Sequence, residues 1–403
     1  MDLSLSFWQR FTTNPLFTLI PLIATFFALP LSSSGKSICL SLAMLSLVLP
    51  FPRQAFTNSF KQAYAKPGLY FFIFIVLASF WSPAHFSQKL LVIEKYSKLL
   101  YLPILVLGFQ YERARKWAAF AFLLAMLLTS SLAILKYHQL LGNLPIDPDR
   151  VFRNHIITGF MASFAAYLSL IFAYRGNRIS WRCSFILLFL IFSYHLLFIN
   201  GGRAGYLMYF LASSFFLLQL FSVKKALVGI FFVCGLFVFC YWQSPVMQMR
   251  LSSINQELSA YQQDNKATSL GFRLQFHQYA KALFLRQPLV GNGTGSFTYL
   301  FAKEDPVPAW NHKLLEPHSQ YWLVASEFGL VGIFLLAWFF LALFKAILKL
   351  KDMKPIGLTM LSLFLIGNLS DSLLFYSGSG YFFILFMALC LGENGLTNRT
   401  PKN

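Results

Sequence analysis

The chain is short of acid. Of 403 residues only 14 are Asp or Glu against 33 Lys or Arg, and charged residues make up 12% of the whole, about half the share of an average soluble domain. Charge this sparse excludes an ordinary soluble enzyme. It also leaves no two carboxylates that spacing would pair across a glycosidic bond. Cysteine is scarce as well: Cys39, Cys183, Cys234, Cys240 and Cys390 all fall in or beside apolar runs, which excludes a disulfide framework and reads as small buried hydrophobes. The histidines are isolated, so neither a metal site nor a cofactor is expected. There is no internal repeat and no low-complexity tract. No small-residue cleavage site follows the first apolar run, which starts near Pro15 with only Arg10 before it, so that run reads as a retained first span.

What is there is hydrophobic: 57% of the residues, with 18% aromatic. The expected fold is all-α, a polytopic integral membrane protein. A helix crossing about 30 Å of hydrocarbon needs roughly 20 apolar residues. That length gives about twelve spans, centred on 16–32, 37–52, 69–82, 97–109, 117–137, 156–174, 183–199, 204–222, 225–242, 319–344, 355–370 and 379–392. The net charge of +19 would suggest nucleic acid in a soluble protein. Here the basic residues cluster between apolar runs, where they set topology and meet lipid headgroups, so no nucleic-acid partner is expected. With the N-terminus inside, eighteen Lys and Arg fall in inside segments against seven in short outside loops. Both termini are then cytoplasmic. The chain divides into a membrane region of about nine spans, 1–242, an external loop, 243–318, and a last set of spans with a cytoplasmic tail, 319–403.

In that loop Phe272, Phe276, Tyr279, Ala280, Leu283 and Phe284 recur at three- and four-residue spacing, the mark of an amphipathic helix at the membrane surface. Arg273, His277 and Lys281 share one face of it. Pro288 with Gly291, Gly293 and Gly295 ends it in a turn. This glycine run lacks the flanking strand and helix of a dinucleotide site and the Lys-Ser/Thr of a P-loop, so it is not read as a phosphate cradle.

The residues that can carry chemistry stand at outer span ends. Arg203, between Asn200-Gly201-Gly202 and Ala204-Gly205, reads either as a snorkelling arginine in a tight hairpin or, with Arg153 and Arg273, as part of a bidentate phosphate clamp. His318, after Pro317 and one turn before Trp322, reads as a helix-start cap or as a general base. His155 is the alternative base. Glu327 and Asp371 are acids at or near outer span ends, where ionisable groups mark function. Glu327 is expected to pair with Arg203 or Arg273, and Asp371 to orient His318 or an arginine, unless both are structural.

Asn200-Gly201-Gly202-Arg203-Ala204-Gly205, then Gly271-Phe272-Arg273 with Pro288-Leu289-Val290-Gly291-Asn292-Gly293-Thr294-Gly295, then His318-Ser319-Gln320-Tyr321-Trp322 with Glu327-Phe328-Gly329, resemble the O-antigen ligase and polymerase superfamily in order and spacing. The resemblance covers most of the chain. It implies a metal-independent, inverting glycosyltransferase of the bacterial inner membrane with its active site facing the periplasm. The donor would be an undecaprenyl-pyrophosphate-linked glycan; in the ligases the acceptor is lipid A-core. Carried over by position, Arg203 and Arg273 bind the pyrophosphate and His318 activates the acceptor hydroxyl, with Arg153 and His155 in a stretch similar to the ligases. O-antigen ligase is the first expectation and polymerase the second. A protein O-oligosaccharyltransferase and a lipid-linked-glycan transporter follow, the last disfavoured because Gly and Pro fall mainly at span ends.

Overall fold

The computed structural model describes residues 15–49, 53–142, 144 and 146–395; Arg10, Arg399, Lys402 and the tail beyond 395 lie outside them. Among the described residues the chain is helical with no strand. The helices are α1 (Pro15–Leu31), α2 (Ser33–Val48), α3 (Arg53–Phe60), α4 (Ala65–Leu77), α5 (Phe86–Gly108), α6 (Glu112–Tyr137), α7 (His155–Arg175), α8 (Ile179–Tyr194), α9 (Arg203–Leu220), α10 (Val223–Gln243), α11 (Pro245–Gln262), α12 (Ser269–Arg286), α13 (Ser296–Glu304), α14 (Gln320–Ile347), α15 (Lys354–Gly367) and α16 (Ser377–Leu391). Each of the twelve apolar segments falls on one of these helices. Five helices are individually long and apolar enough to cross a membrane: α6, α7, α8 with its π-helical continuation to Ile199, α10 and α14. The protein is thus a multi-span helical membrane protein.

Aromatic packing makes the core. α16 is buried along almost its whole length; Phe383 stacks on Phe364 of α15 at 3.9 Å, and Phe382 and Phe386 meet Phe122, Phe160 and Phe164 edge to face. On the other side Gly159 and Gly205 let α7 and α9 touch, since a Cβ on Gly159 would stand 3.2 Å from the Gly205 Cα. Small residues permit such close helix crossings in membranes.

The polar interval holds more structure than its periodicity suggests. Three helices fill it, not one. α12 covers the expected amphipathic stretch and buries Phe276, Tyr279, Ala280 and Leu283. Its N-terminus is capped by Thr268, whose hydroxyl accepts the Gly271 N–H at 3.1 Å. α13 is tied to it by Glu304, which takes both guanidinium nitrogens of Arg286 at 2.7 and 2.9 Å.

The glycine run is more than a surface turn, and α14 is not continuous, contrary to the expectation that glycine stays at span ends. α14 breaks at Gly329 (φ 60°, ψ −157°). Breaking a helix frees backbone groups that lipid cannot satisfy, at several kcal/mol each. The 288–293 loop takes four groups around the break: Leu330 and Val331 N–H donate to the Pro288 and Leu289 carbonyls at 2.8 and 3.1 Å, and the Ser326 and Glu327 carbonyls accept Asn292 and Gly293 N–H at 3.1 and 2.8 Å. The same loop is stitched to the end of α4, where the Trp81 indole donates to the Gly291 carbonyl at 3.2 Å and the Ser82 hydroxyl to the Thr294 carbonyl at 2.7 Å. Gly291 (φ 71°) lies so close that a Cβ there would overlap the Glu327 carbonyl.

Gly291→Ala should therefore cost well over 3 kcal/mol, from positive φ and backbone overlap together. Gly235→Ala, in α10 with nothing within 4 Å of the added methyl, should be neutral or stabilising by up to ~1 kcal/mol. Thermal unfolding of the detergent-solubilised variants checks this; a Gly291→Ala midpoint within a degree or two of wild type would sink the account.

Candidate functional site

A cavity of about 240 Å³ opens where the starts of α7, α9 and α12 meet α11 and the α15–α16 loop, and Arg203, Arg250, Arg273, His155, Glu257 and Asp371 line it. Arg203, at the N-terminus of α9, forms an ion pair with Glu257 and donates to the Ser253 hydroxyl at 2.8 Å. Glu257 also accepts the Leu270 N–H at 2.8 Å, at the positive end of α12. Burial pushes its carboxyl up, but Arg203 and that N–H pull it below the usual range. Glu327 is therefore not the partner of either arginine, correcting the sequence reading. It lies under the glycine loop and accepts the Phe297 N–H at 3.2 Å.

Arg250 was not legible beforehand, because α11 shows no clear apolar period. It lies across Gly201, where a Cβ would come within 2.8 Å of its Nε, and that buried Nε has no partner. The Asn200-Gly201-Gly202 turn is held by Asp149, which accepts the Gly201 N–H at 2.8 Å and sits 3.6 Å from His155 Nδ1. Arg273, half-buried on α12, makes no hydrogen bond or ion pair among the described residues. Among the described residues two guanidinium groups thus face the cavity without a protein acceptor, beside a third that has one. Arg153 is elsewhere: it bonds Ser33 and the Leu29 carbonyl at the α1–α2 junction and does not line the cavity.

His318 stands behind Asp371. Its backbone is left-handed (φ 56°), a conformation that costs a non-glycine residue about 1–3 kcal/mol, and its N–H is held at 2.6 Å by Glu316 Oε2. Its Nδ1 faces two carboxylates, Glu316 Oε1 at 3.2 Å and Asp371 Oδ1 at 3.5 Å, and its ring lies on Phe276 at 6.0 Å. Nε2 has no partner among the described residues. Glu316, another residue not singled out from sequence, is almost fully buried and accepts the Tyr376 hydroxyl at 2.8 Å. Burial pushes its carboxyl up. Burial pulls the His318 imidazole down, but the hydrogen bond to Asp371 and the charges of Glu316 and Asp371 outweigh it, and the result is raised above 6.5. His277 reaches the His318 carbonyl at 3.3 Å and is itself lowered by burial. Ligating atoms of Glu316, His318 and Asp371 lie within 4.8 Å of one another, a grouping able to hold a divalent ion that the scattered histidines had hidden; a protonated His318 neutralises the same carboxylates without one.

Fold and cleft together define a polytopic helical membrane protein with a cationic recess beside a histidine that faces two carboxylates. Residues 186–337 match the family described as O-antigen ligase. The match takes in Arg203, Arg250, Arg273, His318 and the break at Gly329, and stops before Asp371. No curated protein matches the chain.

The cleft predicts anion binding with a specific ranking. Inorganic pyrophosphate titrated into the purified protein should bind roughly 10- to 100-fold more weakly to Arg250→Ala and Arg273→Ala, the loss of one charged hydrogen-bond pair, and unchanged to Arg153→Ala. Equal weakening in all three would mean a diffuse charge effect.

Proposed function

We propose that the protein is an O-antigen ligase: an inverting glycosyltransferase that moves a glycan from undecaprenyl pyrophosphate to the lipid A-core on the periplasmic face of the inner membrane. The observation that carries this reading is the juxtaposition of three arginines with a carboxylate-supported histidine at one end of the helical bundle, within the stretch that matches the family. Arg203, Arg250 and Arg273 hold the donor's diphosphate and neutralise the charge that grows on it as it leaves. The acceptor hydroxyl gives its proton to Nε2 of His318. Its oxygen bonds to the anomeric carbon from the face opposite the diphosphate, whose bond to that carbon breaks. Glu316 and Asp371 stabilise the imidazolium that forms. The buried carboxylates make the histidine a stronger base, and Arg203→Lys or Arg273→Lys would lose bidentate contact.

The cell's lipopolysaccharide provides the test. In a strain lacking the gene, the wild-type copy should restore O-antigen on the core, and His318→Ala should leave core alone with long polymer stranded on undecaprenyl pyrophosphate. Core with a single repeat unit would make the protein a polymerase instead.

The pH profile tests the base. Only neutral His318 accepts a proton, so with its pKa raised the acid limb of kcat/KM should lie above pH 6.5. Arg273 and His277 face the same imidazole from α12 and oppose the rise; Glu316 and Asp371 cause it. Asp371→Asn should therefore move the limb to lower pH. A limb that stays in place would remove Asp371 from the ring's environment.

A further inference from the structure

A second cavity lies at the other end of α14 from the arginine cleft. It measures about 850 Å³ and is walled by Val106 and Leu107 of α5, by Asn58 and Gln62 at α3, by Lys345 near the end of α14 and by Lys349 in the turn that follows it, with no acidic side chain in its lining. A third hollow of about 250 Å³, lined by Phe334, Ala337, Trp338 and Leu341, shares Trp338 and Leu341 with it. The two form one groove along α14, apolar at Phe334 and cationic at Lys345 and Lys349. Those lysines are exposed one turn apart. Like charges at that spacing repel, and neither has an acidic partner among the described residues.

Phe334 and Lys345 are eleven residues apart, roughly 16 Å along a helix at 1.5 Å per residue. That is about half the ~30 Å hydrocarbon thickness of a bilayer, the depth of one leaflet. We propose that the groove holds one anionic phospholipid of the leaflet opposite the arginine cleft, its phosphate between Lys345 and Lys349 and an acyl chain along Leu341 and Trp338 to Phe334. Lysines at the membrane surface attract anionic headgroups, and the apolar length below them matches a single acyl chain. The site is independent of the transfer reaction.

Native mass spectrometry of the full chain, purified with added phosphatidylglycerol, tests it. Wild type should retain one phosphatidylglycerol and discriminate against phosphatidylcholine. Lys345→Ala with Lys349→Ala should bind it about thirty-fold more weakly, the equivalent of ~1 kcal/mol per lysine, while arginine at both positions retains it. Ala55→Trp, which narrows the groove with both lysines intact, should also lose the lipid. Equal retention of phosphatidylglycerol by the alanine pair, or equal retention of phosphatidylcholine by wild type, overturns the proposal. Displacement of the phospholipid by a polyprenyl phosphate overturns the assigned occupant.

Discussion

The arrangement at the cleft end of this bundle depends on a helix that stops and restarts. In a membrane a broken helix must find hydrogen-bond partners inside the protein, and α14 finds them in the 288–293 loop, which returns four backbone bonds for those the break removes. That exchange holds the loop at the break and with it the ends of α4 and α12, between which it runs. His318 lies just before the first residue of the same helix. The placement of the candidate base is thus inherited from a backbone exchange about ten residues further along the chain.

The cleft is assembled from separate pieces of sequence by a second set of ties. Glu257 binds Arg203 across from α11 and caps the start of α12, so two of the three arginines are positioned by one carboxylate. Asp149 holds the Gly201 turn beneath Arg250. Close contact of α7 and α9 at Gly159 and Gly205 brings His155 and Arg203 to neighbouring helix starts. Three of the 14 acids in the chain stand at this end: Glu257 on Arg203 and the start of α12, and Glu316 and Asp371 on His318.

Much of this was legible in the sequence. Apolar length found twelve of the helices, and the three- and four-residue spacing of Phe272 to Phe284 found α12, while α3, α11 and α13 gave no such signal. Arg203, Arg273, His318 and Asp371 stood out as lone polar residues at apolar boundaries, and the structure brings them to one end of the bundle. What stayed hidden has physical reasons. Arg250 and Glu257 sit in α11, whose mixed polar surface gives no period to read. Glu316 looks like an ordinary loop acid until Tyr376 and His318, far off in sequence or turned back by a left-handed backbone, close over it. Arg153 looked like its neighbours because sequence position says nothing about where a long side chain ends. The glycine run read as a turn because its real partner, the broken middle of α14, is a tertiary feature.

The ion pair between Arg203 and Glu257 has a kinetic meaning. In the proposed reaction an incoming diphosphate would share the Arg203 guanidinium with Glu257 or displace it, so the carboxylate would offset part of the attraction. Glu257 stays attached to the protein at high local concentration and would compete for the guanidinium throughout the proposed cycle. Such a resident rival would, in that reaction, favour release of the anionic leaving group relative to a cleft of three unpaired arginines.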